Sequence, residues 1–234
     1  MKKKIVIALG GNALLQRGDV LSAENQQRSI KVFAKMVAAL AGDYQLVIVH
    51  GNGPQVGLLA LQNAAYTESP AWPLDLLVAE SQGMIGSAIA QELTHFVRNV
   101  PVTTLMTRVE VDAHDPAFSL PGKYIGPVYQ PEQQAALESR YGWIMKADGN
   151  YIRRVVPSPL PQKIVDDKAI STLMDAGHLV ICCGGGGIPV IAQGEGYEGT
   201  EAVIDKDLTA AVLAQSIHAD HLLILTDADA VYEN

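Results

Sequence analysis

Ile5-Val6-Ile7-Ala8-Leu9-Gly10-Gly11-Asn12-Ala13-Leu14-Leu15 is the stretch from which the rest of the chain can be read. A short apolar run, rich in β-branched residues and ending in two glycines, predicts a buried parallel strand feeding a tight turn. Glycine has no Cβ, so the backbone can turn sharply there and its N–H groups can approach a ligand closely. Asn12 adds an amide able to bond an oxyanion. The pattern returns at His50-Gly51-Asn52-Gly53-Pro54-Gln55-Val56-Gly57, after the run Leu46-Val47-Ile48-Val49. Pro54 suits the first turn of a helix, which aims free N–H groups and a positive helix end at the loop. Two such turns imply one ligand whose phosphate-like group sits between them.

The remaining composition narrows the class. A chain of 234 residues, 48% of them hydrophobic, is long enough to bury a large core. The net charge of -8 disfavours a nucleic-acid partner, because no basic field draws in a phosphate backbone. Met1-Lys2-Lys3-Lys4 ahead of an apolar run resembles the start of a signal peptide. Gly10-Gly11-Asn12 interrupts that run early and no cleavage-type site follows, so a strand is the expected reading. No apolar stretch approaches the ~20 residues that span a bilayer, and no membrane partner is expected. Cys182 and Cys183 are adjacent inside an apolar run and have no other cysteine to pair with. They are expected to be buried reduced thiols, in keeping with a cytoplasmic protein.

Along the chain, Ser22 is expected to cap a helix over 24–41, with Ile30, Phe33, Ala34, Val37 and Leu40 on one face. A long helix is predicted over 74–97, where Gly83 and Gly86 leave room for another helix to pack closely. Residues 100–111 read as a third strand. Proline and glycine then crowd the chain, followed by a hairpin around Asp148-Gly149, so about 115–162 reads as a small protruding subdomain. The α/β rhythm resumes with a helix ending near Gly177 and a strand leading into Gly184-Gly185-Gly186-Gly187. Another strand follows over 188–192, then a polar loop over 194–200, a helix opening at Asp205-Lys206-Asp207, and a last strand over 222–225. Alternating strands and helices predict an α/β fold: a mostly parallel sheet with helices on both faces. Ligands then belong beyond the carboxyl ends of the strands, where each glycine-rich turn lies.

The residues limit the chemistry. No G-x-x-x-x-G-K-[ST] is present, and Gly51-x-Gly53 finds its next glycine at Gly57, one place too late for a dinucleotide fingerprint. Lys206 between Asp205 and Asp207 has two readings. One is a solvated lysine at an acidic helix start, and the other is an ammonium that neutralises a phosphoryl group in transit. Phosphoryl transfer needs positioning and charge stabilisation rather than a covalent nucleophile, which suits a chain without an evident nucleophile–base pair. Asp227 and Asp229 end a strand and could meet magnesium, ribose or backbone. His218 and His221 straddle a helix end without a third ligand, so a solvated pair is expected and no protein metal site.

These motifs together closely resemble the carbamate kinase family, of the amino acid kinase fold. The resemblance rests on Leu9 to Leu14, His50 to Gly57, Gly184 to Val190, Val203 to Asp207 and Leu225 to Tyr232, with Arg153-Arg154-Val155-Val156-Pro157-Ser158-Pro159 between them. It covers the whole chain. It implies a three-layer sandwich and phosphoryl exchange between ATP and carbamate, giving ADP and carbamoyl phosphate, with Mg²⁺. Such enzymes commonly run toward ATP, on carbamoyl phosphate from arginine or purine-derived catabolism. By position, Gly10, Gly11, Asn12, Gly51, Asn52 and Gly53 would hold the carbamoyl phosphate side. Lys123 and Lys206 would flank the moving phosphoryl group, with Asp207 orienting the lysines. Gly185, Gly186, Asp205, Lys206, Asp227, Val231 and Tyr232 would lie toward the nucleotide.

Related kinases of amino acids carry a lysine two places before the first turn glycine. Here that place is Ala8, as in the carbamate branch, where the lysine of the subdomain takes over; this argues against an amino acid or nucleoside monophosphate as acceptor. The family implies a homodimer. It also continues past the position of Asn234 with a further lysine in a glycine-methionine-proline-lysine motif. The chain is therefore expected to be a single domain short of that segment, and the alternative reading is a catalytically incomplete carbamoyl-phosphate-binding protein.

Overall fold

The computed structural model describes residues 2–14 and 19–226, with no account of the side chains of Asn12 and Ala13. In chain order the elements are β1 (Lys3–Leu9), α1 (Gly11–Leu14), α2 (Ala23–Ala41), β2 (Tyr44–His50), α3 (Gly53–Ala65), α4 (Leu74–Phe96), β3 (Val102–Thr104) and β4 (Arg108–Val111). Then come β5 (Lys123–Tyr129), α5 (Gln134–Tyr141), β6 (Ile144–Asp148), β7 (Tyr151–Val156), β8 (Pro161–Ile164) and α6 (Asp167–Asp175). The last are β9 (Leu179–Ile181), β10 (Ile188–Gln193), β11 (Gly196–Gly199), α7 (Lys206–Ser216) and β12 (His221–Leu225).

The central sheet has the strand order β12-β1-β2-β9-β3, and every pairing in it is parallel. Side chains alternate across a strand, and β1 shows what that achieves. Ile5, Ile7 and Leu9 pack with Ile30 and Phe33 of α2 and with Ile85 and Ile89 of α4. Val6 and Ala8 pack on the opposite face with Ile170 and Met174 of α6 and Ala210 and Leu213 of α7. An uninterrupted apolar run is what a strand needs when both its faces are covered. The expected three-layer α/β arrangement is therefore present, with the Ser22 hydroxyl accepting from Asn25 N–H at 3.2 Å to cap α2.

Three local expectations are corrected. The single strand over 100–111 is two strands, β3 in the central sheet and β4 in a second sheet ordered β11-β10-β4-β8. The break is fixed by Gln82, whose amide takes Thr107 N–H at 2.9 Å and donates to Thr107 and Gly184 carbonyls at 3.1 and 3.0 Å. The polar loop over 194–200 contains β11, an antiparallel partner of β10. Gly86 does not receive a helix. A Cβ there would overlap the Thr104 methyl of β3, and Thr104 Oγ1 donates to Gly86 O at 3.0 Å.

Within the proline-rich excursion, β5-β7-β6 form a separate three-stranded antiparallel sheet. Pro161 already belongs to β8, paired with β4 in the second sheet. The small sheet sits on a third apolar cluster, in which Ile125 and Val156 meet Val56 and Ala60 of α3, Leu77 of α4, and Val203. Helix and sheet approach so closely at one crossing that a Cβ on Gly57 would overlap the Gly126 backbone. Gly126 itself has φ +71°, a conformation glycine adopts readily, and lies at a register shift in β5.

Candidate active site

Parallel pairing puts the carboxyl ends of β12, β1, β2 and β9 on one edge of the sheet. Gly10 N–H donates to Leu225 O at the end of β12, and Gly51 N–H donates to Leu9 O at the end of β1, both at 2.9 Å. Gly10 fits only as glycine, since a Cβ would stand 2.9 Å from Leu225 O. Gly11 lies against Pro54, so the two turns abut. Pro54 occupies the first turn of α3, as its fixed φ favours, and Gly53 opens that helix.

Lys206 crosses this junction. Its Cδ would lie 3.3 Å from a Cβ on Gly51, and Gly11 N would lie 3.4 Å from the same point. A lysine stem therefore runs over the bare backbone where the two turns meet, and any larger residue at 51 would displace it. The ammonium pairs with Asp207 Oδ2 at 2.7 Å, and the lysine side chain is 15% exposed. The other Asp207 oxygen, Oδ1, is buried without a hydrogen-bond partner among the described residues.

Asp205 caps α7, accepting Asp207 N–H at 2.9 Å and Leu208 N–H at 3.4 Å on Oδ1. Its Oδ2 holds Lys123 Nζ at 2.9 Å. Burial pushes the Asp205 carboxyl up, but the Lys123 charge, the hydrogen bond from that lysine and the two backbone N–H groups together bring it below its ordinary value. The stability this carboxylate contributes is thus present at neutral pH and is lost as pH falls through its lowered pKa. Lys123 reaches Asp205 because it starts β5, the strand clamped at the Gly57–Gly126 crossing, and because Val203 N–H bonds Pro157 O at 3.0 Å just past β7.

Other residues singled out from the sequence stand differently. Asn52 is buried, and its amide N–H donates to Ser81 Oγ at 2.8 Å. Gly185 and Gly186 do not form an open phosphate cradle. They are buried, Gly186 N–H is taken by Cys183 O at 3.0 Å, and Cβ atoms there would overlap the Asn52 amide and Ile204 O. The tetraglycine is a wedge behind the site, tied to α7 by Thr209 Oγ1 donating to Gly186 O at 2.8 Å. Asp227, Val231 and Tyr232 lie outside the described residues, as does the Asn12 side chain.

His50 and Gln82 also shape the site, though neither carries a strong sequence signal. His50 is buried at the end of β2, its Nδ1 2.9 Å from Gly51 O, and a Cβ on Gly184 would overlap its ring. A polar residue at a core position of α4 was the only signal available for Gln82.

Burial lowers the His50 pKa from 6.5 to about 4, against a smaller upward pull from Gly51 O. The unfolded chain therefore binds the proton first as pH drops, and stability falls between about pH 6.5 and 4, by about 3 kcal/mol in all. Denaturant unfolding of wild type and His50→Gln at pH 7 and pH 5 checks this. A smaller stability loss in the variant is expected, and an equal loss would remove His50 as the cause.

The donor set also bears on Mg²⁺. This ion takes one or two carboxylates together with phosphate oxygens and retains several waters. Among the described residues no group of three acidic, histidine or cysteine side chains converges. The unpartnered Asp207 Oδ1 is one suitable donor, so the residues fit an ion carried mainly on nucleotide phosphates, with Asp207 as the side chain that would hold it.

Comparison with known proteins shows what the whole chain is similar to. The family model described as "Amino acid kinase family" matches residues 3–234. The carbamate kinase of Escherichia coli strain K12 is 63% identical over 99% of this chain and 77% of its own length. The structure of carbamate kinase from Giardia lamblia bound to citric acid superimposes with a TM-score of 0.90, at 39% identity over 97% of this chain and 75% of that one. The same Giardia enzyme bound to AMP-PNP gives a TM-score of 0.85 at 39% identity, covering 97% of this chain and 74% of that one. With motif, topology and relatives in agreement, the chain belongs to the amino acid kinase family and, within it, to the carbamate kinases.

Proposed function

We propose that the two ammonium groups at the strand ends carry the phosphoryl exchange of a carbamate kinase: ATP and carbamate to ADP and carbamoyl phosphate, and the reverse. The observation that carries this reading is the course of Lys206 over the Gly51 backbone where the two turns meet, with Lys123 anchored one residue away on Asp205. Gly10, Gly11, Asn12, Gly51 and Gly53 take the carbamoyl phosphate side, where bare backbone lets an oxyanion come close. Asn52 holds the second turn in shape through Ser81. Asp205, Lys206, Asp227, Val231 and Tyr232 belong to the nucleotide side, while Gly185 and Gly186 support it from behind.

In the reaction, Lys206 and Lys123 stabilise charge on the transferring group in a partly buried setting, where a fixed cation is worth more than in water. Asp207 keeps the Lys206 ammonium aimed at the junction, and Asp205 does the same for Lys123. No covalent intermediate on the protein is required. Mg²⁺, when bound, supplies further charge neutralisation on the nucleotide phosphates. The carboxylate acceptor is small, in keeping with Ala8 at the position where kinases of amino acids carry a lysine.

The reading extends to a homodimer in the cytoplasm. The exposed Leu76 and Met84 on α4 support a protein contact, and the two free buried cysteines suit a reducing compartment. Sedimentation of the purified chain checks the first point. ATP formation from ADP, Mg²⁺ and carbamoyl phosphate, followed by a coupled assay, tests the activity itself; folded protein that makes none would reject it. Lys123→Ala is expected to slow the same reaction by about 10²-fold, the lower end of the usual cost of deleting one charge-stabilising group, because Lys123 Nζ already shares its charge with Asp205 Oδ2 at 2.9 Å.

A further inference from the structure

We propose a second ligand site, separate from the Lys206 junction, in which Arg154 holds a small oxyanion. The site is a cavity of about 370 Å³ between the α3–α4 connection and the three-stranded sheet. Trp72, Leu77, Tyr141, Trp143, Arg154 and Glu201 line it.

Arg154 is poorly satisfied where it stands. Its guanidinium carbon lies 4.6 Å from the centre of the Trp143 ring, which stacks on Tyr141 at 4.5 Å. Its side chain is 15% exposed, yet its only charged partner among the described residues, Glu201, is 4.0 Å away. Among the described residues no hydrogen bond to the guanidinium is found. Glu201 is occupied elsewhere: its Oε2 accepts Leu74 N–H at 2.8 Å. A guanidinium carries five N–H donors, and burying it unpaired is costly.

A carboxylate or phosphate answers this need. It accepts in parallel from the guanidinium fork, which the 4.0 Å contact with Glu201 leaves unmet. The Trp143 face on one side of the guanidinium leaves its N–H edges free to meet such an anion. If Arg154 served only to brace Glu201, a closer pair would be expected than one stretched to 4.0 Å beside a polar cavity.

The chain has two tryptophans, and both line this cavity, so their fluorescence reports on it directly. Wild type is titrated at constant ionic strength with sodium acetate and, separately, with inorganic phosphate, using sodium chloride as control. A saturable emission change is expected with at least one of them, and the tighter anion identifies the ligand class. Half-saturation should rise about tenfold in Arg154→Gln. It should fall in Glu201→Gln, which removes a competing carboxylate, and stay unchanged in Lys206→Ala. No saturable response in wild type overturns the proposal. So does a response kept in Arg154→Gln, or one lost in Lys206→Ala, which would place the anion at the phosphoryl junction. Should Arg154→Gln not fold, Arg154→Lys keeps the charge and loses the fork. Unweakened binding there would likewise overturn the proposal.

Discussion

Lys206→Ala is expected to lower kcat by about 10²–10³-fold, the usual cost of deleting one preorganised charge-stabilising group. The size follows from where the lysine runs. Its stem is fixed over Gly51 and its ammonium is held by Asp207 at 2.7 Å, so little ordering remains to be done when charge develops on the phosphoryl group. The fold should be spared, because Asp205, not Lys206, caps α7. Steady-state kinetics with both substrates, beside thermal unfolding of the variant, decides the matter. A variant as stable as wild type and equally fast would remove Lys206 from the chemistry. Lys206→Arg is informative as well, because the wider guanidinium must pass the same narrow backbone crossing and should rescue only part of the rate.

The second large effect is expected at a residue with no side chain. Gly57→Ala puts a methyl group into the Gly126 backbone, where helix and strand have no room to separate without moving β5. Overpacking of this kind costs about 1–3 kcal/mol of stability. The larger consequence is for turnover. β5 begins with Lys123, and a shift of about 1 Å in a positioned group can cost about 10²-fold in rate. A drop in kcat clearly beyond that of Lys123→Ala is not expected, since the displaced lysine is the route by which Gly57 acts. Kinetics of Gly57→Ala alone and combined with Lys123→Ala tests this. Full additivity of the two losses would show that Gly57 works through something else.

Much of this was legible before any coordinates. Ile5 to Leu9 announced a strand buried on both faces, Ser22 announced a cap, and the two glycine turns announced the sheet edge on which they lie. Each is a local signal: an apolar run, a hydroxyl before a helix, a residue free of Cβ. What the sequence leaves open depends on contacts distant in sequence. Gly184 to Gly187 could equally have been an open anion loop or a packing wedge. Only the His50 ring, the Asn52 amide and Ile204 O pressed against them decide it. The amide of Asn52 turns inward because Ser81, on α4, is there to meet it. Residues 100–111 had strand character throughout, and the break within them is made by Gln82 from another element. Lys123 gave no sign of importance by composition alone; its significance came from family resemblance, and its contact with Asp205 appears only once β5 is folded onto α3.

Asp205 has a consequence for how such a chain can change over time. One oxygen of this carboxylate starts a helix and the other anchors a lysine from a different sheet, so no single substitution there can be compensated at one place. Descendants of this sequence should therefore keep positions 123 and 205 locked together or replace both at once.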